Sequence, residues 1–89
     1  MDIFGASANI NPNEFNRLKT SLRNKGFSDA KIRDIEQVFQ GDMFEGNGNT
    51  GIDMNEVRER MKWFRTNKSK HNLSAEQINI LEEELMSFL

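Results

Sequence analysis

Apolar residues recur along this chain at intervals of three and four, the spacing that puts side chains on one face of an α-helix. Four stretches show it: Phe15, Leu18 and Leu22; Ile32, Ile35 and Phe39; Val57, Met61 and Phe64; Ile78, Leu81, Leu85 and Phe88. Each is preceded by an apolar residue, then a capping residue, with a second apolar residue five positions after the first. In the first copy Ile10 precedes the cap Asn11, Pro12 opens the helix, Glu14 stands at its third position and Phe15 at its fourth. Cap, capping box and hydrophobic staple therefore coincide. The second copy, Phe27, Ser28 and Ile32, has Lys31 where the box needs Glu or Gln, so only the cap and staple are expected. The third, Ile52, Asp53, Glu56 and Val57, and the fourth, Leu73, Ser74, Gln77 and Ile78, carry the complete set.

These signals predict helices near 12–25, 29–40, 54–67 and 75–88. Gly26 and Gly41 stand where a left-handed residue would end the first two. No run alternates apolar and polar residues, so strands are not expected. The fold class is all-α, a compact four-helix domain. With 89 residues the chain has material for one core and one domain, 1–89. Residues 1–9 lie ahead of the first helix, either frayed or with Ile3 and Phe4 folded back onto the core. The tight Gly26-Phe27 connection makes the first two helices neighbours. The segment 41–52 is polar and rich in Gly and Asn, and 67–73 is a short basic loop. No repeat of fixed period is visible.

Composition narrows the function classes. There is no Cys, which excludes disulfides and thiolate metal sites and fits a reducing, cytoplasmic setting. No signal peptide or membrane span is expected, because no apolar stretch approaches about 18 residues. The net charge of -2 is unevenly spread. Between Arg58 and His71 six bases, Arg58, Arg60, Lys62, Arg65, Lys68 and Lys70, face one acid, Glu59; the following helix holds Glu76, Glu82, Glu83 and Glu84 and no base.

Residues 45–57 resemble an EF-hand calcium loop and the start of its exiting helix. Ca²⁺ takes six to eight oxygens, and such loops supply them from alternating positions and a terminal bidentate Glu. The ligand set that the resemblance implies is Glu45, Asn47, Asn49, Asp53 and Glu56, with Ile52 at the apolar eighth place. Three departures lower the expected affinity: Glu replaces Asp at the first position, Thr50 takes the glycine place with Gly51 one residue late, and the third and fifth positions are neutral. The helix entering the loop is also interrupted by Gly41. Capping of the third helix accounts for Asp53 and Glu56 without a metal.

Catalysis has little to draw on. His71 is the only His, there is no Tyr, and no nucleophile adjoins it, so a solvated loop histidine and no enzyme is expected. A helix-turn-helix reading of the first two helices, with the basic stripe on phosphates, makes nucleic-acid binding a third possibility; the acidic net charge argues against it. Trp63 lies about 120° around its helix from Val57, off the core stripe and beside Glu59 and Arg60. A Trp flanked by Arg on a partly exposed face has the composition of an interaction hot spot. The expectation is therefore a non-enzymatic protein-interaction or regulatory module. Its partner surface would comprise Trp63, Arg60, Glu59, Lys62 and Arg65. A degenerate EF-hand-like calcium-binding protein is the alternative. Ile80, Val38 and Met86 also stray from their stripes and could extend that surface or form a homodimer interface.

Overall fold

The computed structural model describes residues 9–43 and 51–89. Within them the chain forms α1 (Pro12–Asn24), α2 (Asp29–Met43), α3 (Met54–Thr66) and α4 (Ala75–Ser87), with a single 3₁₀ turn, Lys68–Lys70, between α3 and α4. It is an all-α fold. No described helix is long and apolar enough to cross a membrane.

The helix starts are built as local chemistry requires. Asn11 Oδ1 accepts the Glu14 N–H at 2.7 Å, and the Glu14 carboxylate accepts the Asn11 N–H at 3.0 Å. Asp53 with Glu56 and Ser74 with Gln77 close the same reciprocal box on α3 and α4. At α2 Ser28 Oγ accepts the Lys31 N–H at 3.3 Å without reciprocation. Lys31 instead reaches across to Gln77 Oε1 at 3.0 Å, which ties the starts of α2 and α4 together. Both members of all four staples are buried.

The stops differ between the two glycines. Gly26 takes φ of +95°, and the Phe27 and Gly26 amides turn back to the carbonyls of Leu22 and Arg23, a Schellman ending for α1. Gly41 does not end α2, which runs on to Met43. The reason is tertiary. Asp42, one residue beyond the glycine, is buried and binds the Arg60 guanidinium through both oxygens at 2.8 and 2.9 Å, anchoring the last turn of α2 to α3.

That pair is lopsided, since Asp42 is 7% exposed and Arg60 37%. The Arg60 guanidinium is stabilised as the cation by its bond to Asp42, so its pKa is raised. Removing Arg60 strands a buried carboxylate, whereas removing Asp42 leaves a guanidinium that can turn to water. Chemical denaturation should therefore show Arg60→Ala costing about 1–2 kcal/mol, and more than Asp42→Ala.

The core is one cluster in which α1 packs on α2 and α4, and α3 packs on α4 and α2. Ile10 and Ile52, each just ahead of a capped helix, join in an isolated antiparallel bridge, N–H to O at 2.9 Å in both directions. This bridge relates two halves of the chain. Displacing α1 by 42 residues brings Ile10, Phe15 and Leu22 onto Ile52, Val57 and Phe64; displacing α2 by 46 brings Phe27, Ile32, Ile35 and Phe39 onto Leu73, Ile78, Leu81 and Leu85. All of these residues are buried. The relation has no fixed period, since the two displacements differ by four residues. Residues 25–28 join α1 to α2 but 67–74 join α3 to α4, and the four extra residues, which hold the 3₁₀ turn, break any single period.

Candidate functional site

Those extra residues shape the surface beside Trp63. The indole is half-buried, lies edge-on to Phe64 with ring centroids 5.3 Å apart, and stands 5.9 Å from the His71 ring. Trp63 and His71, together with Asp34, Gln37 and Val38 of α2 and Lys70 of the turn, line an open depression of about 180 Å³. The lining combines Trp63 and Val38 with an acid, Asp34, on α2 and a base, Lys70, on the turn after α3. The sequence placed Trp63 off the core stripe, which agrees with its half-burial; Ile3 and Phe4, for which folding back onto the core was one of two alternatives, lie outside the described residues.

His71 is not the solvated loop histidine expected. It is 8% exposed, and both ring nitrogens are engaged. Nδ1 accepts the Leu73 N–H at 3.0 Å, so the proton sits on Nε2, which donates to the Phe64 carbonyl at 2.6 Å. That carbonyl belongs to the last turn of α3, where no intrahelical donor remains. The imidazole thereby caps α3 while fixing the turn that leads to α4. Burial of Leu73 as the α4 staple draws the segment inward, a consequence of packing that the polar sequence 67–72 does not show.

The half-to-half relation sets a second place against this one. By the same displacements Trp63 corresponds to Ser21, Val38 to Glu84, Gln37 to Glu83 and Asp34 to Ile80. There the surface is closed by polar bonds: Ser21 Oγ donates to Glu84 Oε1 at 2.6 Å, and Lys25 Nζ reaches Oε2 at 2.7 Å. The bond from Lys25, then that from Ser21, hold the Glu84 carboxyl below the ordinary carboxylate range against the opposing effect of burial. A carboxyl whose folded pKa is depressed adds stability above its unfolded value, about 4.3 for Glu, and that stability is lost as pH falls through the folded value. The thermal midpoint of wild type should therefore exceed that of Glu84→Gln near neutrality, and the gap should narrow in acid.

The basic stripe divides into two kinds of residue. Arg60 is bound to Asp42, and Arg65 to Glu82 at 2.6 Å and Asn79 at 3.1 Å, so both fasten helices together. Arg58, Lys62, Lys68 and Lys70 are exposed and have no ion-pair partner among the described residues; Glu59 is exposed likewise. Of the five residues expected to meet a partner, Trp63 is therefore joined by Glu59 and Lys62 as free surface, with Arg60 and Arg65 already occupied. The α2 wall, Asp34, Gln37 and Val38, carries no sequence signal tying it to Trp63 beyond the stray position of Val38.

Of the calcium set, Glu45, Asn47 and Asn49 lie outside the described residues. Asp53 and Glu56 cap α3, Ile52 is held in the bridge to Ile10, and Gly51 takes φ of +119° against Asn9 and Ile10. No three acidic, His or Cys side chains gather into a metal-binding group among the described residues. No family model, no curated protein and no solved structure matches this chain.

Proposed function

We propose that this protein is a non-enzymatic interaction module whose protein partner docks in the depression floored by Trp63, between α2 and the turn after α3. The observation that carries this reading is the contrast between the two related faces. Where Ser21, Glu84 and Lys25 seal one, Trp63 and Val38 leave the other open, with Asp34 and Lys70 in its lining and neither ion-paired among the described residues. A half-exposed Trp in a depression is the kind of anchor that dominates protein interfaces. The lack of catalytic function is supported by His71, whose two nitrogens are both committed to backbone groups and so are not available to move a substrate proton.

Capture from native lysate tests this, using wild type, Trp63→Ala and Gln37→Lys, each checked for an unchanged fold by circular dichroism. Gln37 is exposed on the α2 wall, so its replacement disturbs the rim and not the core. Proteins held by wild type should be lost from both variants. Retention of the same proteins by folded Trp63→Ala would remove the docking face from this place.

A further inference from the structure

We infer that docking at the Trp63 depression is switched by the protonation state of His71, the neutral ring holding one wall of the depression in place and the imidazolium releasing it. The inference rests on the docking reading above and adds its regulation. His71 meets two backbone groups of opposite kind: Nδ1 accepts the Leu73 N–H at 3.0 Å, and Nε2 donates to the Phe64 carbonyl at 2.6 Å. An amide N–H can only donate and a carbonyl can only accept, so this setting fits the neutral ring in one tautomer and no other form. A proton added at Nδ1 would leave two N–H groups facing each other across 3.0 Å with no acceptor between them. The ring is 8% exposed, which leaves water little access to either group where it stands. The charged ring must therefore leave its seat.

What leaves with it is the wall itself. His71 and its neighbour Lys70 line the depression, and the ring lies 5.9 Å from the Trp63 indole. Leu73, whose amide the ring holds, is the buried staple of α4, and Phe64, whose carbonyl takes the other bond, lies in the last turn of α3. The capping box of Ser74 and Gln77 makes no bond to the ring, so the opening is confined to segment 67–73. Charged side chains on the elements around the ring are Asp34 on α2, Glu59 on Trp63's face of α3, Lys68 and Lys70 in the turn, and Glu76 in the first turn of α4. They are of both signs and neither ring nitrogen bonds to any of them, so the two backbone groups decide which form is held. His71 is the one histidine, and with no Cys present no other side chain is of a type that ordinarily changes charge between about pH 5 and 8. Acidification across that range therefore acts on this ring.

One histidine and one tryptophan make the test direct. The full chain is followed by nuclear magnetic resonance and fluorescence from about pH 8 to about pH 5, as wild type and as His71→Gln, whose amide offers one acceptor and one donor and does not titrate. In wild type the ring Cε1–H signal, the Leu73 amide signal and the Trp63 emission, moving to the red, should change with one midpoint while circular dichroism keeps its helical signal. The open fraction should grow by up to about ten-fold per pH unit, the limit for uptake of one proton. In His71→Gln the Leu73 amide and the emission should stay still. A ring that stays neutral to about pH 5, or one that titrates without moving Leu73 and Trp63, would overturn the switch on wild type alone, whether or not the variant folds. Loss of all helix at the same midpoint, or the same change in folded His71→Gln, would overturn it too. Docking is read separately, by washing proteins captured at about pH 7.5 with buffer at about pH 5.5. They should be released from wild type and kept by His71→Gln. Release from both, or from neither, would overturn control by His71 and leave the docking face in place. Capture that is absent or independent of Trp63 would remove the docking face and its control together.

Discussion

Phe64→Ala should lower the stability of this protein by about 3–5 kcal/mol, read from chemical denaturation. A domain of this size has a stability of roughly 4–13 kcal/mol at 0.05–0.15 kcal/mol per residue, so a loss of that size consumes much of it. The ring is fully buried in the core cluster and meets two other aromatic rings, Trp63 at 5.3 Å and His71 at 4.9 Å, both edge-on. Deleting it forfeits the transfer free energy of the ring and leaves a cavity beneath the floor of the depression. It also unseats His71, which packs on the Phe64 ring while donating to the Phe64 carbonyl. Phe64→Leu, which keeps most of the volume, should retain a cooperative transition at reduced midpoint. A denaturation midpoint for Phe64→Ala within error of wild type would show that the packing of α3 described above is wrong.

Gly51→Ala is expected to cost about 2–4 kcal/mol although it adds one methyl group. Two penalties combine. The backbone at Gly51 has φ of +119°, a region that L side chains rarely adopt. A Cβ placed there would also sit 2.7 Å from Asn9 Cβ and 2.9 Å from the Ile10 carbonyl oxygen, which itself accepts the Ile52 N–H. Relieving the clash means moving segment 9–10 away and breaking the bridge between the two halves. By contrast Gly41→Ala, with no atom within 4 Å of the added Cβ and no positive φ, should stabilise α2 by up to about 1 kcal/mol. Thermal melts of the two variants side by side would show opposite shifts. A Gly51→Ala protein as stable as wild type would mean that the bridge is not a constraint on the fold.

Why Gly51 was misleading in the sequence is instructive in physical terms. It stands one residue after the glycine place of a calcium loop and looks like a displaced remnant of one, yet its conformation is set by a segment 41 residues earlier in the chain. Features that depend on a few neighbouring residues were legible: all four caps, the staples and the Gly26 stop each rest on bonds or contacts spanning at most six residues. Features decided by distant partners were not. Gly41 resembles Gly26 in sequence but is carried through by Asp42 and Arg60, and Arg65 resembles a free surface base until Glu82 is brought beside it. His71 sits among polar residues and is buried because Leu73 and Phe64 are. Trp63 was identifiable from its angle on the helix, whereas the α2 wall facing it depends on how α2 and α3 pack. The relation between the halves leaves no fixed period in the sequence, because two displacements, 42 and 46, replace one.

The contrast between the related faces gives the most direct measurement of the central claim. A photo-reactive amino acid placed at Gln37, on the wall of the Trp63 depression, probes the open face; the same group at Glu83, its counterpart by the 46-residue displacement, probes the closed one. Both positions are exposed, so both proteins should fold alike. Irradiation in native lysate should give cross-linked partner from position 37, abolished by Trp63→Ala, and little from position 83. Equal yields from the two positions, or cross-links from 83 alone, would contradict docking at Trp63.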